Sequence, residues 1–174
     1  MAKVSYKLNY DPENYDSENI QNIINDVNNR YKDIENIVEN IVAEYSKDLD
    51  NLIDTIRESL HNTNLLSDEE LDNFIVSIPL QLYYVSSAIE VLSVKEDIIK
   101  AKRQLLYHSR REEAEGTVAD KDNYAEASVL QETLVKDMFV KASKKLKYKA
   151  DMALELSNSL KKILSRRMEE YKNQ

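Results

Sequence analysis

Few residues in this chain have the type and spacing that chemistry needs. Glu58-Ser-Leu-His61 has the Glu-x-x-His spacing that puts two ligands on one helix face in di-iron bundles. Such a site needs a second copy of the motif and further facing carboxylates, and the only other histidine, His108, has no glutamate three residues before it. Cysteine is absent, so neither a thiolate metal site nor a disulfide framework is available. The single glycine, Gly116, excludes a glycine-rich phosphate loop, and no Ser, His and Asp stand at the spacing of a nucleophile elbow. Catalysis needs a positioned acid, base or nucleophile. The sequence therefore predicts a protein that is not an enzyme and that holds no metal and no cofactor.

Cations form the more informative group. Lys100, Lys102 and Arg103, then Arg110 and Arg111, flank the segment Leu-Leu-Tyr107-His108-Ser109. Further on, Lys141, Lys145 and Lys149 fall four apart, joined by Lys136, Lys144 and Lys147, with Lys161, Lys162, Arg166 and Arg167 beyond. Phosphates need only a track of cations at helical spacing, so such a face holds nucleic acid through its backbone, with salt-sensitive affinity and little sequence preference. Interleaved Tyr107, Tyr124 and Tyr148 are of the type that stacks on bases, although a tyrosine on a helix seam also serves as core. The other reading of these lysines is a solvated face that pairs with the acidic N-terminal half.

That acidic half shows in the charge distribution. The 174 residues carry a formal charge of −8, but up to Val94 there are six Lys and Arg against 18 Asp and Glu, and from Lys95 onward 18 against 14. Opposite halves on one chain imply two kinds of partner, or self-association between the halves. The N-terminus lacks an apolar signal core, and the longest uncharged run, Asn73 to Ile89, contains Pro79, Gln81 and several serines. Neither a signal peptide nor a membrane span is expected; a cytoplasmic location fits the lack of cysteine.

The elements that must position these residues are long helices. One Gly and two Pro leave almost no turn-making residues, which argues against a many-stranded sheet. Residues 1–16 read as an extended arm, with Val4, Tyr6, Leu8 and Tyr10 alternating before the Asp11-Pro12 turn. Residues 17–62 read as an acidic heptad helix: Ile20, Ile24, Val27, Tyr31, Ile34, Val38, Ile41 and Tyr45 follow at alternating steps of four and three, then Leu49, Leu52, Ile56 and Leu60. Residues 63–174 read as a helical core with basic C-terminal helices.

Within that core, Ser67-Asp-Glu-Glu70 is a capping box flanked by Leu66 and Leu71, so a helix starts at Asp68. Pro79 predicts a break or kink, with a new helix from about Leu80 to Glu115 whose buried stripe is Leu82, Val85, Ile89, Leu92, Ile99 and Leu106. Tyr83, Tyr84 and Val91 lie off that stripe, marking a central or subunit-interface helix. From Thr117 to Lys172 the pattern predicts one helix of roughly 80 Å, with Val135, Phe139, Ala142, Leu146, Ala150, Ala153, Leu160, Leu164, Met168 and Tyr171 on its stripe. The expected fold class is all-α: a long-helix bundle with coiled-coil character and a short extended N-terminal arm. It is expected to be homo-oligomeric, with Ile20, Val27, Ile34, Ile41, Tyr83 and Tyr84 at the interface.

The segment Lys100-Ala-Lys-Arg-Gln-Leu-Leu-Tyr-His-Ser109, followed by Tyr148 and by Leu160-x-x-Ile163-x-Ser165-Arg166, resembles the phage UvsY recombination-mediator family over roughly Leu80 to Tyr171. The resemblance implies a small helical homo-oligomer of a phage-infected bacterial cytoplasm. It would bind single-stranded DNA and help load a RecA-like recombinase onto strands covered by single-stranded-DNA-binding protein. It also implies DNA contacts at the family's Lys-x-Arg pair, where this chain has Lys102 at the first position and Gln104 at the second, with Arg103 beside it. With the basic faces added, the expected nucleic-acid-binding residues are Lys100, Lys102, Arg103, Arg110, Arg111, Lys141, Lys144, Lys145, Lys149, Lys162 and Arg166. The acidic helix has no matching part in that family and stands as an added oligomerisation or partner arm. The competing expectation is a non-enzymatic coiled-coil assembly or virion protein, or an inhibitor docking on a host protein through that helix.

Overall fold

The computed structural model describes residues 17–61 and 66–173. Among them the only regular elements are four α-helices: α1 (Ser17–His61), α2 (Asp68–Glu113), α3 (Val118–Ser128) and α4 (Leu130–Lys172). The expected arm over residues 1–16 lies outside the described residues. Two compact units divide between Asn36 and Ile37, within α1. In the first, Arg30 and Asp26 pair one turn apart at 2.9 Å, and Ile24, Val27 and Tyr31 of the heptad seam are exposed.

The second unit contains the core. Val38, Val42, Leu49 and Ile56 of α1 are buried, as are Leu71, Ile78, Val85, Ala88 and Leu92 of α2 and Ala142, Leu146, Ala153 and Leu160 of α4. Each large aliphatic side chain so buried contributes about 1.5–3 kcal/mol. Helix directions follow from the cross-links. Arg167 near the end of α4 reaches Asp68 at the start of α2, and Lys102 near the end of α2 reaches Glu132 at the start of α4, so these two helices run antiparallel.

Local chemistry starts α2 and α3 as the sequence dictates. Ser67 and Glu70 exchange side-chain and backbone hydrogen bonds in a capping box, and Thr117 and Asp120 do the same. These bonds hold the Glu70 and Asp120 carboxyls below the usual carboxylate range. Between the helices Gly116 adopts φ of 109°, a left-handed conformation that a residue with a Cβ adopts only under strain.

Two expectations are corrected. Pro79 does not break its helix: α2 runs through it from Asp68 to Glu113. The ring removes the N–H that would bond to Ile75 and costs about 3 kcal/mol. Pro79 faces solvent, however, while Leu71, Ile78 and Val85 on the adjoining face, about 100° round the helix, are buried. Packing on both sides of the defect outweighs it.

The helix from Thr117 to Lys172 is two helices. Val129 leaves helical geometry at φ −111° and ψ 16°, and its N–H turns back to the Glu126 carbonyl at 3.3 Å. Ser128 and Thr133 donate their hydroxyls to the carbonyls four residues earlier, at 2.8 and 3.0 Å, a bond type that bends helices. Val129 itself is fully buried, so tertiary contacts hold the break. The stripe of α4 is also shorter than expected: Val135, Met168 and Tyr171 are exposed. By length and composition α2 is long and apolar enough to cross a membrane, and 22% of the relevant 18-residue window is buried.

Candidate nucleic-acid interface

The cations expected to meet phosphate fall into two groups, which the bundle does not bring together. The first group lies at the end of α2 and is engaged within the chain. Lys102 pairs with Glu132 at 3.2 Å. Arg103 donates from Nε to the Thr133 hydroxyl at 2.8 Å and pairs with Glu126 at 2.6 Å. Arg110 pairs with Glu113 at 2.7 Å and Arg111 with Asp122 at 2.5 Å. Of the five, Lys100 alone is exposed without an ion pair to a described residue.

These pairs tie α3 down onto α2. Tyr107 donates its hydroxyl to Asp122 at 3.2 Å; burial, then that bond, pushes its phenol up. The hydrogen bond from Arg111 is the main reason the Asp122 carboxyl sits below the usual range, and Arg110 does the same for Glu113. For Glu132 its own backbone N–H is the larger cause and Lys102 the second. Tyr107 is half-buried, so its ring is a tether rather than an open stacking platform.

The second group lies on α4. Opposition of Lys102 to Glu132 and of Lys95 to Phe139 fixes the register of α2 against α4. Lys141 to Lys149 therefore sit roughly 15–25 Å along the helix from the first group at 1.5 Å per residue. Here α4 runs beside α1. Lys144, Lys145, Lys149 and Tyr148 line an open cleft of about 450 Å³ with Glu39 and Val42. Tyr148 is 67% exposed.

Two of these lysines are held by the acidic helix. Lys145 pairs with Glu39. Lys149 donates to both oxygens of Asp50, at 2.7 and 2.6 Å, and to the Ser46 hydroxyl at 3.0 Å. Ser46 in turn donates to Asp50 at 2.7 Å and is fully buried. Nearby, Lys95 donates to the Tyr45 hydroxyl at 3.0 Å, which holds its ammonium above the usual lysine range. The two readings of the basic face thus meet in one place: Lys145 and Lys149 pair with the acidic half. Lys141, Lys144 and Lys147 are exposed and make no ion pair with a described residue.

Lys162 and Arg166, near the end of α4, are also exposed without an ion pair to a described residue, whereas Arg167 bonds to the Leu66 carbonyl and Asp68. Of the expected interface residues, Val27, Tyr83 and Tyr84 are exposed, Ile34 and Ile41 are half-buried, and the Ile20 side chain is outside the described set. The acidic partners Glu39 and Asp50 were not legible in advance, since a charge on a heptad helix looks the same whether solvated or paired. Comparison with family models, curated proteins and solved structures finds no match.

Proposed function

We propose that this protein is a non-enzymatic, homo-oligomeric single-stranded-DNA-binding protein of the recombination-mediator type. One observation carries the reading: Lys144 and the exposed Tyr148 line one open cleft beside Lys145 and Lys149, which pair with Glu39 and Asp50, with Lys141 and Lys147 exposed nearby on α4. Cations spaced along a groove with an aromatic face between them suit a sugar-phosphate backbone carrying unpaired bases. Arraying the cleft over several subunits raises the effective concentration of weak contacts, which a chain of charge −8 requires. The service to a RecA-like recombinase, on strands covered by single-stranded-DNA-binding protein, rests on the UvsY resemblance. The test is fluorescence anisotropy with a labelled oligothymidylate. Binding is expected to weaken steeply with salt and to be lost when Lys141, Lys144 and Lys147 are all replaced by alanine. No binding at low salt, or affinity unchanged in the triple variant, refutes the reading.

The second reading is a helical assembly or virion protein, or an inhibitor that docks on a host protein, whose basic face serves its own acidic helix. It is favoured by the Lys145–Glu39 and Lys149–Asp50 pairs. Light scattering with and without oligonucleotide separates the two: an assembly that forms alike in both and never retains the DNA is the second.

A further inference from the structure

The outward face of α2 carries a second apolar seam. Val76, Leu80, Tyr83, Val94, Ile98 and Leu105 are between 56% and 74% exposed, and their steps, completed by Ser87 and Ala101, run 4, 3, 4, 7, 4, 3 and 4. This is heptad spacing. At about 100° per residue the seam lies nearly opposite the core face made by Leu71, Ile78, Val85 and Leu92. A helix with apolar seams on two opposite faces has something to bury on each side. Among the described residues only one side is covered.

We infer that this face docks against the same face of a second copy, with the two α2 helices antiparallel. The step pattern reads the same in both directions about its midpoint near Glu90 and Val91. An inverted copy therefore sets Val76 against Leu105, Leu80 against Ala101, Tyr83 against Ile98 and Ser87 against Val94, mostly a larger side chain against a smaller one. Direction follows from the helix dipoles, which antiparallel pairing opposes and parallel pairing aligns.

Length is sufficient as well. From Val76 to Leu105 the seam spans about 45 Å, long enough for a two-helix contact approaching the roughly 800 Å² per partner of a standard interface. The contact is isologous, so it closes at two copies and leaves the cleft between α1 and α4 open on each. Self-pairing through α2 needs no nucleic acid, so its failure and the failure of DNA binding are told apart by mass alone.

The test uses the full chain. Sedimentation velocity is expected to give a dimer or a multiple of one, and Leu80→Glu with Ile98→Glu is expected to give a monomer with unchanged helical circular dichroism, since both side chains are exposed. Because the chain has no cysteine, engineered thiols report direction and stand even where the charged variant fails to fold. Val76→Cys combined with Leu105→Cys is expected to form disulfide-linked dimers under mild oxidation, and Val76→Cys alone to form none. A monomeric wild type, a charged variant of unchanged mass, or efficient linking by Val76→Cys alone overturns the inference. So does flotation of a monomeric wild type with phosphatidylcholine vesicles, which would make the seam a membrane contact.

Discussion

The cluster of Lys149, Asp50 and Ser46 gives the sharpest test of how the acidic helix is held. Lys149 Nζ lies 2.7 and 2.6 Å from the two Asp50 oxygens and 3.0 Å from Ser46 Oγ. A hydrogen bond to a charged group contributes about 1.5–3 kcal/mol net when water is kept away, and a fully exposed ion pair about 0.2–1 kcal/mol. The Lys149 and Asp50 side chains are 36% and 41% exposed, while Ser46 beneath them is fully buried. Their coupling therefore falls between the two limits, at about 1 kcal/mol, which discounts the buried value for solvent screening. Lys149→Met keeps the aliphatic stem and is expected to cost about 1–2 kcal/mol, because Asp50 retains the Ser46 hydroxyl as a donor. The assay is a double-mutant cycle of Lys149→Met and Asp50→Asn in urea, followed by circular dichroism. Arg30 and Asp26, at 77% and 60% exposure, serve as the exposed reference with an expected coupling of about 0.3–0.5 kcal/mol. A Lys149–Asp50 coupling no larger than that of the reference refutes the claim that this cluster fixes α1 to α4.

Pro79→Ala restores a backbone donor within α2 at an exposed position; it is expected to raise stability by about 1–3 kcal/mol in urea titration, and no gain would mean that the helix does not bear the defect. Ser157 is fully buried and its hydroxyl has no partner among the described residues, so Ser157→Ala is expected to be neutral or to stabilise by about 1 kcal/mol in thermal melts, whereas a clear loss would reveal a bond at that hydroxyl. Gly116→Ala places a Cβ 3.0 Å from Asp120 Oδ2 at a φ of 109° and is expected to cost about 1–2 kcal/mol, read as a lower urea midpoint. Asp122, Glu113 and Glu132 have folded-state carboxyl values below the ordinary 3.8 for Asp and 4.5 for Glu. Their stabilisation is complete above the ordinary values and is lost as pH falls through the lowered ones. Protection of the α3 amides against hydrogen exchange, taken relative to the intrinsic rate at each pH, is therefore expected to stay constant down to about pH 5 and to fall below about pH 4; a loss of protection near neutral pH would contradict this.

Much of the fold could be read along the chain because its signals are local. The capping boxes at Ser67 and Thr117 are closed by residues three positions apart, and the limits of α1 and the start of α2 follow from periodicity and from the lack of Gly and Pro between them. The expectation of a break at Pro79 rested on an equally local rule and was overruled, because Leu71, Ile78 and Val85 bury whether or not one backbone bond is missing. Val129 shows the converse. No Gly or Pro marks it, and its departure from the helix is held by burial that only the folded chain supplies.

For the site, composition and spacing determined that lysines crowd α4 and that an acidic helix precedes them. They could not say which lysines are occupied, since charge on a helix face is fixed by sequence while its partner is fixed by register between helices. Register puts Lys145 beside Glu39 and Lys149 beside Asp50, spends Lys102, Arg103 and Arg111 on α3 and α4, and leaves Lys141, Lys144 and Lys147 exposed without ion pairs to described residues. The same distinction governs α2. Its two apolar seams are written in the residue order, but which of them faces inward was decided by where α1 and α4 pack.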